Sequence, residues 1–276
     1  MTGTDTSSGV RPFRFGVVAP ILNGLPAWRD QVRRIADSGY STVLMPDVQQ
    51  WQPAPGPALA IAATLAPELR VGTWVYASPL RAASSVAWES HSLSVLTEGR
   101  FEMGIGPGRP GMEEELRQSG LPVATPSGRL AQVRDAISAL RELDGPDLHT
   151  PVVVAARGPK SWALATELAD TIICAVPSES RDEAVRMATA ARATRDMELA
   201  LHVAVVGDER SAFMAGPDTD IAALRAKDSL LVLPADPKAA VEELLRRREE
   251  GGFSYIVIGA NAAEVLAPAV AELTGR

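Results

Sequence analysis

The sequence predicts an α/β protein folded as a single (β/α)8 TIM barrel over residues 13–276. Eight short runs rich in Val, Ile and Leu recur along the chain, and segments with helical periodicity separate them. Most of these runs are continuously apolar, which is typical of parallel strands covered by helices. No Gly-rich dinucleotide fingerprint follows the first run, so an open doubly wound sheet is a poorer match.

The predicted strands are short, and each lies before a helical segment. They are residues 13–19, 42–47, 70–76, 100–105, 151–155, 171–175, 199–206 and 255–259. In a barrel of this kind, the loops after the carboxyl ends of the strands carry function. The polar, small-residue-rich stretch 1–12 is predicted to be a disordered tail before the first strand.

The predicted helices have one apolar face, as in the first, where Val32, Ile35 and Ala36 lie together. They are residues 28–39, 58–68, 82–99, 129–145, 161–170, 182–196 and 237–252. Several of these segments end at or beside a glycine, the residue that helix C-termini favour.

Composition limits the class of protein and its partners. A net charge of -7 and a pI near 5.1 disfavour binding to nucleic acid, whose phosphates need clustered Lys and Arg. No apolar run reaches the ~18 residues of a membrane span, and no signal peptide is recognisable. We therefore expect a cytoplasmic protein that acts on a small molecule. The single cysteine, Cys174, lies in an apolar run, where packing is its usual role.

The sequence lacks the motifs of several common kinds of active site. The sequence has no H-E-x-x-H, no paired Cys, no G-x-S-x-G and no P-loop, so no metal site is predicted. The three histidines, His91, His149 and His202, are far apart in sequence. We interpret each as structural rather than as a general base.

Two Gly-Pro turns remain as candidate binding loops. The first, GIGPGRPG (104–111), contains Gly106, Pro107 and Gly108, and its glycines would let a flat ligand approach the backbone. A simple reversing loop is the alternative. The second turn is ARGPKS (156–161), considered next.

ARGPKS leads directly into a helix. Pro159 suits a first helical turn, and Lys160 and Ser161 lie where unpaired N–H groups favour an anion. Arg157 and Lys160 add positive charge on either side of Gly158. An ordinary strand-to-helix loop is the alternative for this turn.

Five motifs, in order, resemble the bacterial luciferase-like superfamily of flavin- and deazaflavin-dependent oxidoreductases, and most closely its actinobacterial coenzyme F420-dependent branch. They are FRFGVVAP, WRDQVRRIADSGYSTVLMPD, LRVGTWVYASPLR, SVLTEGRFEMGIGPG and PVVVAARGPKSWALATELADTII. A fainter match is PADPKAAVEELLRRREEGGFSYIVIG.

The resemblance implies coenzyme F420 as the cofactor, with FMN as the alternative, and a ring lying across the strand ends. It implies that residues 157–161 hold the cofactor phosphate, and that a non-proline cis bond at Trp74-Val75 backs the ring. Trp51, Trp74 and Tyr76 would form the walls of the pocket. The full set of expected cofactor-binding residues is Ala19, Asp47, Trp74, Val75, Tyr76, Gly106, Pro107, Gly108, Arg157, Gly158, Pro159, Lys160 and Ser161.

The sequence departs from its sugar-phosphate dehydrogenase relatives at two positions. Those proteins carry Asp-His where this chain has Asp47-Val48, and an acidic group where it has Arg109. Asp47 and Arg109 are therefore the predicted catalytic residues, Arg109 as a contact for a substrate carboxylate. Without the histidine base, reduction is the predicted direction.

The expected activity is an F420H2-dependent reductase of a C=C or C=N bond in a small metabolite. The resembled branch also suggests secondary metabolism and a homodimer formed through the outer helices. An FMNH2-dependent monooxygenase and a cofactor-less binding barrel remain alternatives.

Overall fold

Eight parallel strands close into a barrel, which confirms the predicted fold. The computed structural model describes residues 10–109, 111–175, 180–216 and 218–276. Residues 1–9 of the predicted tail lie outside these ranges. The barrel strands are β1 (Arg14–Val18), β2 (Thr42–Met45), β3 (Arg70–Thr73), β5 (Phe101–Gly106), β6 (Val152–Ala156), β7 (Thr171–Cys174), β8 (Glu198–Val203) and β12 (Phe253–Gly259). Pairing of β1 with β12 and of β3 with β5 closes the ring.

Helices follow the strands and cover the outside of the barrel. They are α1 (Leu25–Asp37), α2 (Pro55–Leu65), α3 (Ala83–Leu96), α4 (Glu113–Gln118), α5 (Pro126–Asp144), α6 (Pro159–Leu168), α7 (Arg181–Thr194), α8 (Ile221–Ala226), α9 (Pro237–Gly251) and α10 (Ala263–Leu273). All seven predicted helices are present. The connection between β8 and β12 also carries a small sheet of β9 (Val205–Val206), β10 (Glu209–Arg210) and β11 (Val232–Leu233).

The third barrel strand is interrupted by a bulge. After β3, the Trp74–Val75 peptide bond is cis, as the resemblance implied, and the strand resumes as β4 (Tyr76–Ala77) beside β5. A Cβ atom at Gly104 would lie 1.9 Å from the Thr73 carbonyl oxygen. This glycine is therefore required by the bulge itself, whereas the sequence suggested that it admits a flat ligand.

Four polar side chains fill the N-terminal end of the barrel, and we call them the floor network: Arg14, Glu102, Glu198 and Tyr255. Arg14 donates to Glu102 at 2.8 Å and to both carboxylate oxygens of Glu198 at 2.6 and 2.8 Å. The Tyr255 hydroxyl donates to Glu102 at 2.6 Å. Burial and the adjacent Glu102 carboxylate raise the pKa of Tyr255. Each charge in the network has a partner, so this end of the barrel is structural.

An apolar layer separates the floor network from the opposite end. It is formed by Val18, Leu44, Val153, Ile173, Ala200 and Val257. The carboxyl ends of the strands begin just beyond this layer, and they position the site described next. None of the helices in the described ranges is long and apolar enough to cross a membrane.

Candidate active site

A cavity of about 340 Å³ lies at the carboxyl ends of the barrel strands. Val18 and Ile173 of the apolar layer form part of its wall, so its deep end is apolar. Eight of the predicted site residues line it. They are Asp47, Trp74, Val75, Gly106, Pro107, Gly108, Arg109 and Arg157. The fold thus brings together residues from four different strand ends.

Three aromatic and small residues predicted to contact the ligand are not part of the cavity wall. Tyr76 is fully buried and its hydroxyl donates to Glu89 of α3 at 2.8 Å. The bulge before Tyr76 turns its side chain outward, which periodicity in the sequence does not reveal. Ala19 is also buried, and its carbonyl accepts a hydrogen bond from Trp28 at 2.7 Å. Trp51 is exposed, and its ring makes an edge contact with the ring of Phe213, which lines the cavity.

Asp47 lies at the cavity wall in a bidentate ion pair with Arg81. Arg81 Nε and Nη2 each donate to one Asp47 oxygen at 2.9 Å, and the Asp47 side chain is 1% exposed. The hydrogen bond with Asp47 raises the pKa of Arg81. Two guanidinium hydrogen bonds thus fix the position of this carboxylate at the cavity wall. Arg81 follows Asp47 by 34 positions, and the sequence offered no local signal for this pair.

Arg109 lies at the outer rim of the cavity. Its guanidinium donates to Glu115 at 2.6 Å, and its side chain is 59% exposed. Contact with a substrate carboxylate would compete with Glu115. Val48 lines the cavity at the position where the sugar-phosphate dehydrogenase relatives are expected to carry a histidine.

The start of α6 offers donors to an anion. Its N-cap residue, Gly158, has no side chain to accept from the first helical turn. The Ser161 hydroxyl accepts from the N–H groups of Arg157 and Gly158 at 2.9 and 3.0 Å, so these two N–H groups are engaged. The N–H groups of Lys160 and Ser161 have no partner within the helix, because they belong to its first turn.

Two cations adjoin this helix start. Within the described ranges, Arg157 and Lys160 form no side-chain ion pair, and Arg157 also faces the cavity. Their charges and the positive end of α6 fit a phosphate group at the edge of the cavity. Gly158, Pro159, Lys160 and Ser161 themselves do not line the cavity. They lie at the start of α6, and the preceding residue, Arg157, lines the cavity.

His202 is a cavity residue that the sequence analysis took to be structural. It is half-buried on β8, two positions after the interior residue Ala200, so both side chains face the inside of the barrel. Alternation from Ala200 could have revealed this. Burial lowers the pKa of His202 to about 4, and its imidazole has no hydrogen-bond partner in the part of the chain that is described.

The other two histidines lie at the periphery. His91 and His149 contact Asp144 and Asp170 at 2.9 and 3.0 Å. These contacts agree with structural roles. Among the described residues, no group of three or more His, Cys, Asp or Glu side chains is placed to hold a metal ion.

Comparison with known sequences gives two matches. A sequence profile of the family described as luciferase-like monooxygenase matches residues 12–216. An F420-dependent glucose-6-phosphate dehydrogenase of Beutenbergia cavernae is 30% identical over 166 residues, which are 50% of this chain and 48% of the relative. The chain thus spans about half the length of the curated relative that it matches.

Solved structures share the fold. The coenzyme F420-dependent tetrahydromethanopterin reductase of Methanopyrus kandleri has a TM-score of 0.72 and 15% identity. The match covers 96% of this chain and 100% of the reductase chain. The oxygenating component of 3,6-diketocamphane monooxygenase from Pseudomonas putida, in complex with FMN, has a TM-score of 0.68 and 14% identity, covering 96% and 98%. At these identities the likeness concerns the fold.

Proposed function

The chain belongs to the luciferase-like monooxygenase family, and from that premise we propose that it is an F420H2-dependent reductase. Its substrate would be a small metabolite with a C=C or C=N bond. The observation that supports this best is a cavity with an apolar deep end that meets a basic, uncapped helix start at one edge. Such a shape suits a planar ring joined to a phosphate.

The ring and the phosphate of the cofactor would each have matching residues in the described chain. Arg157 and Lys160 would hold the phosphate at the start of α6. Trp74 and Val75 would back the ring, and Ala155 of β6 and Ile173 of β7 add apolar contacts from neighbouring parts of the cavity wall. The Asp47 carboxylate, fixed by Arg81, would accept a hydrogen bond from the ring or the substrate. When bound, a reduced deazaflavin supplies a hydride.

The chemistry of the cavity favours reduction over alcohol oxidation. Oxidising an alcohol requires a base to take the hydroxyl proton. Val48 cannot do so, and both carboxylate oxygens of Asp47 already accept hydrogen bonds from Arg81. With its pKa lowered to about 4, His202 is a weak base. A hydride acceptor needs no such base, because its proton can come from water.

An FMNH2-dependent monooxygenase is the second candidate. The description of the matched family and the FMN-bearing protein of similar fold support it. The two candidates share the phosphate site and differ in the ring that they bind, so cofactor preference separates them.

The deciding experiment is a titration of the purified protein with F420 and with FMN, followed by fluorescence and absorption. We expect tighter binding of F420. Tighter binding of FMN would favour the monooxygenase. Binding of neither would favour a cofactor-less barrel that serves as a binding subunit.

We also propose that the protein is a homodimer. The outer face of α3 exposes Trp88 at 71% and Leu96 at 75%, together with Val95. A second copy covering this face would bury that apolar area. Light scattering should give twice the chain mass, and a monomer for Trp88→Glu. A monomeric wild-type protein would contradict the proposal.

A further inference from the structure

The bulge and His202 lie on opposite sides of the cavity. The bulge is on the third barrel strand, and His202 is on the seventh, β8. In a closed barrel of eight strands, strands four apart face each other. A ring backed by Trp74 and Val75 therefore presents its free face toward His202.

On that side of the cavity, His202 has no hydrogen-bond partner among the described residues. Asp47, by contrast, has both oxygens bonded to Arg81. A half-buried imidazole without a partner among the described residues carries a desolvation cost, which a bound ligand would remove. Phe213 and Met214, which line the same cavity as His202, are apolar.

Two side chains of the cavity wall can donate a hydrogen bond to a ligand. Arg157 can only donate, and a neutral imidazole can donate through one ring nitrogen. A ligand in front of His202 should therefore present an acceptor oxygen on an otherwise apolar body.

We propose that His202 is a substrate-positioning residue that donates a hydrogen bond to the carbonyl oxygen of a small α,β-unsaturated carbonyl compound. The apolar body of this compound would lie between the ring and the side chains of Phe213 and Met214. The inference rests on the proposed function and narrows its substrate class to conjugated C=C bonds.

The chemistry of such a substrate matches this contact. Reduction adds a hydride to the β-carbon and a proton from water to the α-carbon, and the C=C π bond is lost. The two electrons come from the reduced deazaflavin. Negative charge gathers on the carbonyl oxygen before the proton is added, and a fixed N–H donor stabilises it. A neutral imidazole serves as this donor.

The test measures binding of 2-cyclohexenone, with cyclohexene as the matched probe without oxygen, to the protein saturated with oxidised F420. Calorimetry is carried out on wild type, His202→Leu and His202→Gln, with His149→Gln as the control at an exposed histidine. We expect His202→Leu to weaken 2-cyclohexenone binding about tenfold. His202→Gln should restore part of the affinity, since its amide can donate. Cyclohexene binding and F420 affinity should not change.

The outcomes separate this inference from the proposed function. Equal 2-cyclohexenone affinity in wild type and His202→Leu overturns the inference while F420 binding still supports the function. No binding of 2-cyclohexenone to wild type overturns the substrate class. A loss of F420 affinity in His202→Leu would place the imidazole against the cofactor and overturn the inference as well. If wild type does not bind F420, both fail. Thermal unfolding confirms that each variant is folded.

Discussion

Two helices in this protein begin with the same local sequence but leave different groups available. Both α6 and α9 start with Pro-Lys, at Pro159-Lys160 and Pro237-Lys238. In α9 the N-cap residue is Asp236, whose carboxylate accepts from the Ala239 N–H at 2.9 Å. In α6 the N-cap residue is Gly158, so the helix has no anion of its own.

The difference shows how one motif can be either structural or functional. At α9 the positive end of the helix is satisfied by the protein's own carboxylate, which stabilises the fold. At α6 the same positive end, beside Arg157, faces the edge of a cavity. A Pro-Lys helix start therefore indicates an anion site only where the preceding residue cannot cap the helix.

The largest effect is expected from giving α6 the cap of α9. A Cβ at Gly158 would meet no atom within 4 Å, so Gly158→Asp fits without strain. The new carboxylate would repel the cofactor phosphate, and we expect F420 affinity to fall about a hundredfold. The free energy of unfolding should rise by a few tenths of a kcal/mol, roughly the difference between Asp and Gly caps. Fluorescence titration measures the F420 affinity, and urea denaturation measures the free energy of unfolding. An unchanged F420 affinity would contradict the placement of the cofactor phosphate at this helix start.

A smaller loss is expected when only the lysine charge is removed. Lys160→Gln should weaken F420 binding about tenfold, because a charge-assisted contact to phosphate is lost. Lys238→Gln, at the same position of α9, is the matched control and should leave F420 affinity unchanged. Equal effects of the two substitutions would contradict the assignment. Neither should alter stability beyond error, since both lysines are exposed.

His202, like the start of α6, has polar groups without a hydrogen-bond partner among the described residues. Its imidazole should make the free energy of unfolding depend on pH. Its pKa in the folded protein is about 4, below the ordinary value near 6.5. Between these values only the unfolded chain takes up the proton, so stability falls as pH falls from 6.5 towards 4. From pH 7 to 5, wild type should lose about 1 to 2 kcal/mol more than His202→Gln. Urea denaturation at both pH values measures this, and equal losses would mean that the imidazole is well solvated.

The smallest effect is expected at the satisfied helix start. Asp236→Ala removes the cap of α9 and should lower the free energy of unfolding by about 1 kcal/mol. F420 affinity should be unchanged, because α9 starts outside the cavity wall. Denaturation and titration of the same sample check both statements. A change in cofactor binding would show that the two helix starts are coupled.

Most of the fold could be predicted because its strands are continuous apolar runs followed by periodic helices. The last helix, α10, was missed because Pro268 lies inside it and no side-chain cap marks its start. The short strands β9, β10 and β11 were merged or overlooked, since two-residue strands carry no periodicity.

The candidate site was predictable only in part. The loops after the strands could be located, and by resemblance the bulge at Trp74-Val75 as well. Tyr76 was placed on the wrong side, because a bulge changes which face the next residue takes. The pair of Asp47 and Arg81 depends on tertiary contact, which no local pattern encodes.

The floor network has a consequence for kinetics. Because these four side chains fill the N-terminal end of the barrel, ligands reach and leave the cavity through its mouth. A ring against the bulge and a substrate in front of His202 would share that entrance. Steady-state turnover should then follow a compulsory order, with cofactor adding before substrate and product departing before the spent cofactor.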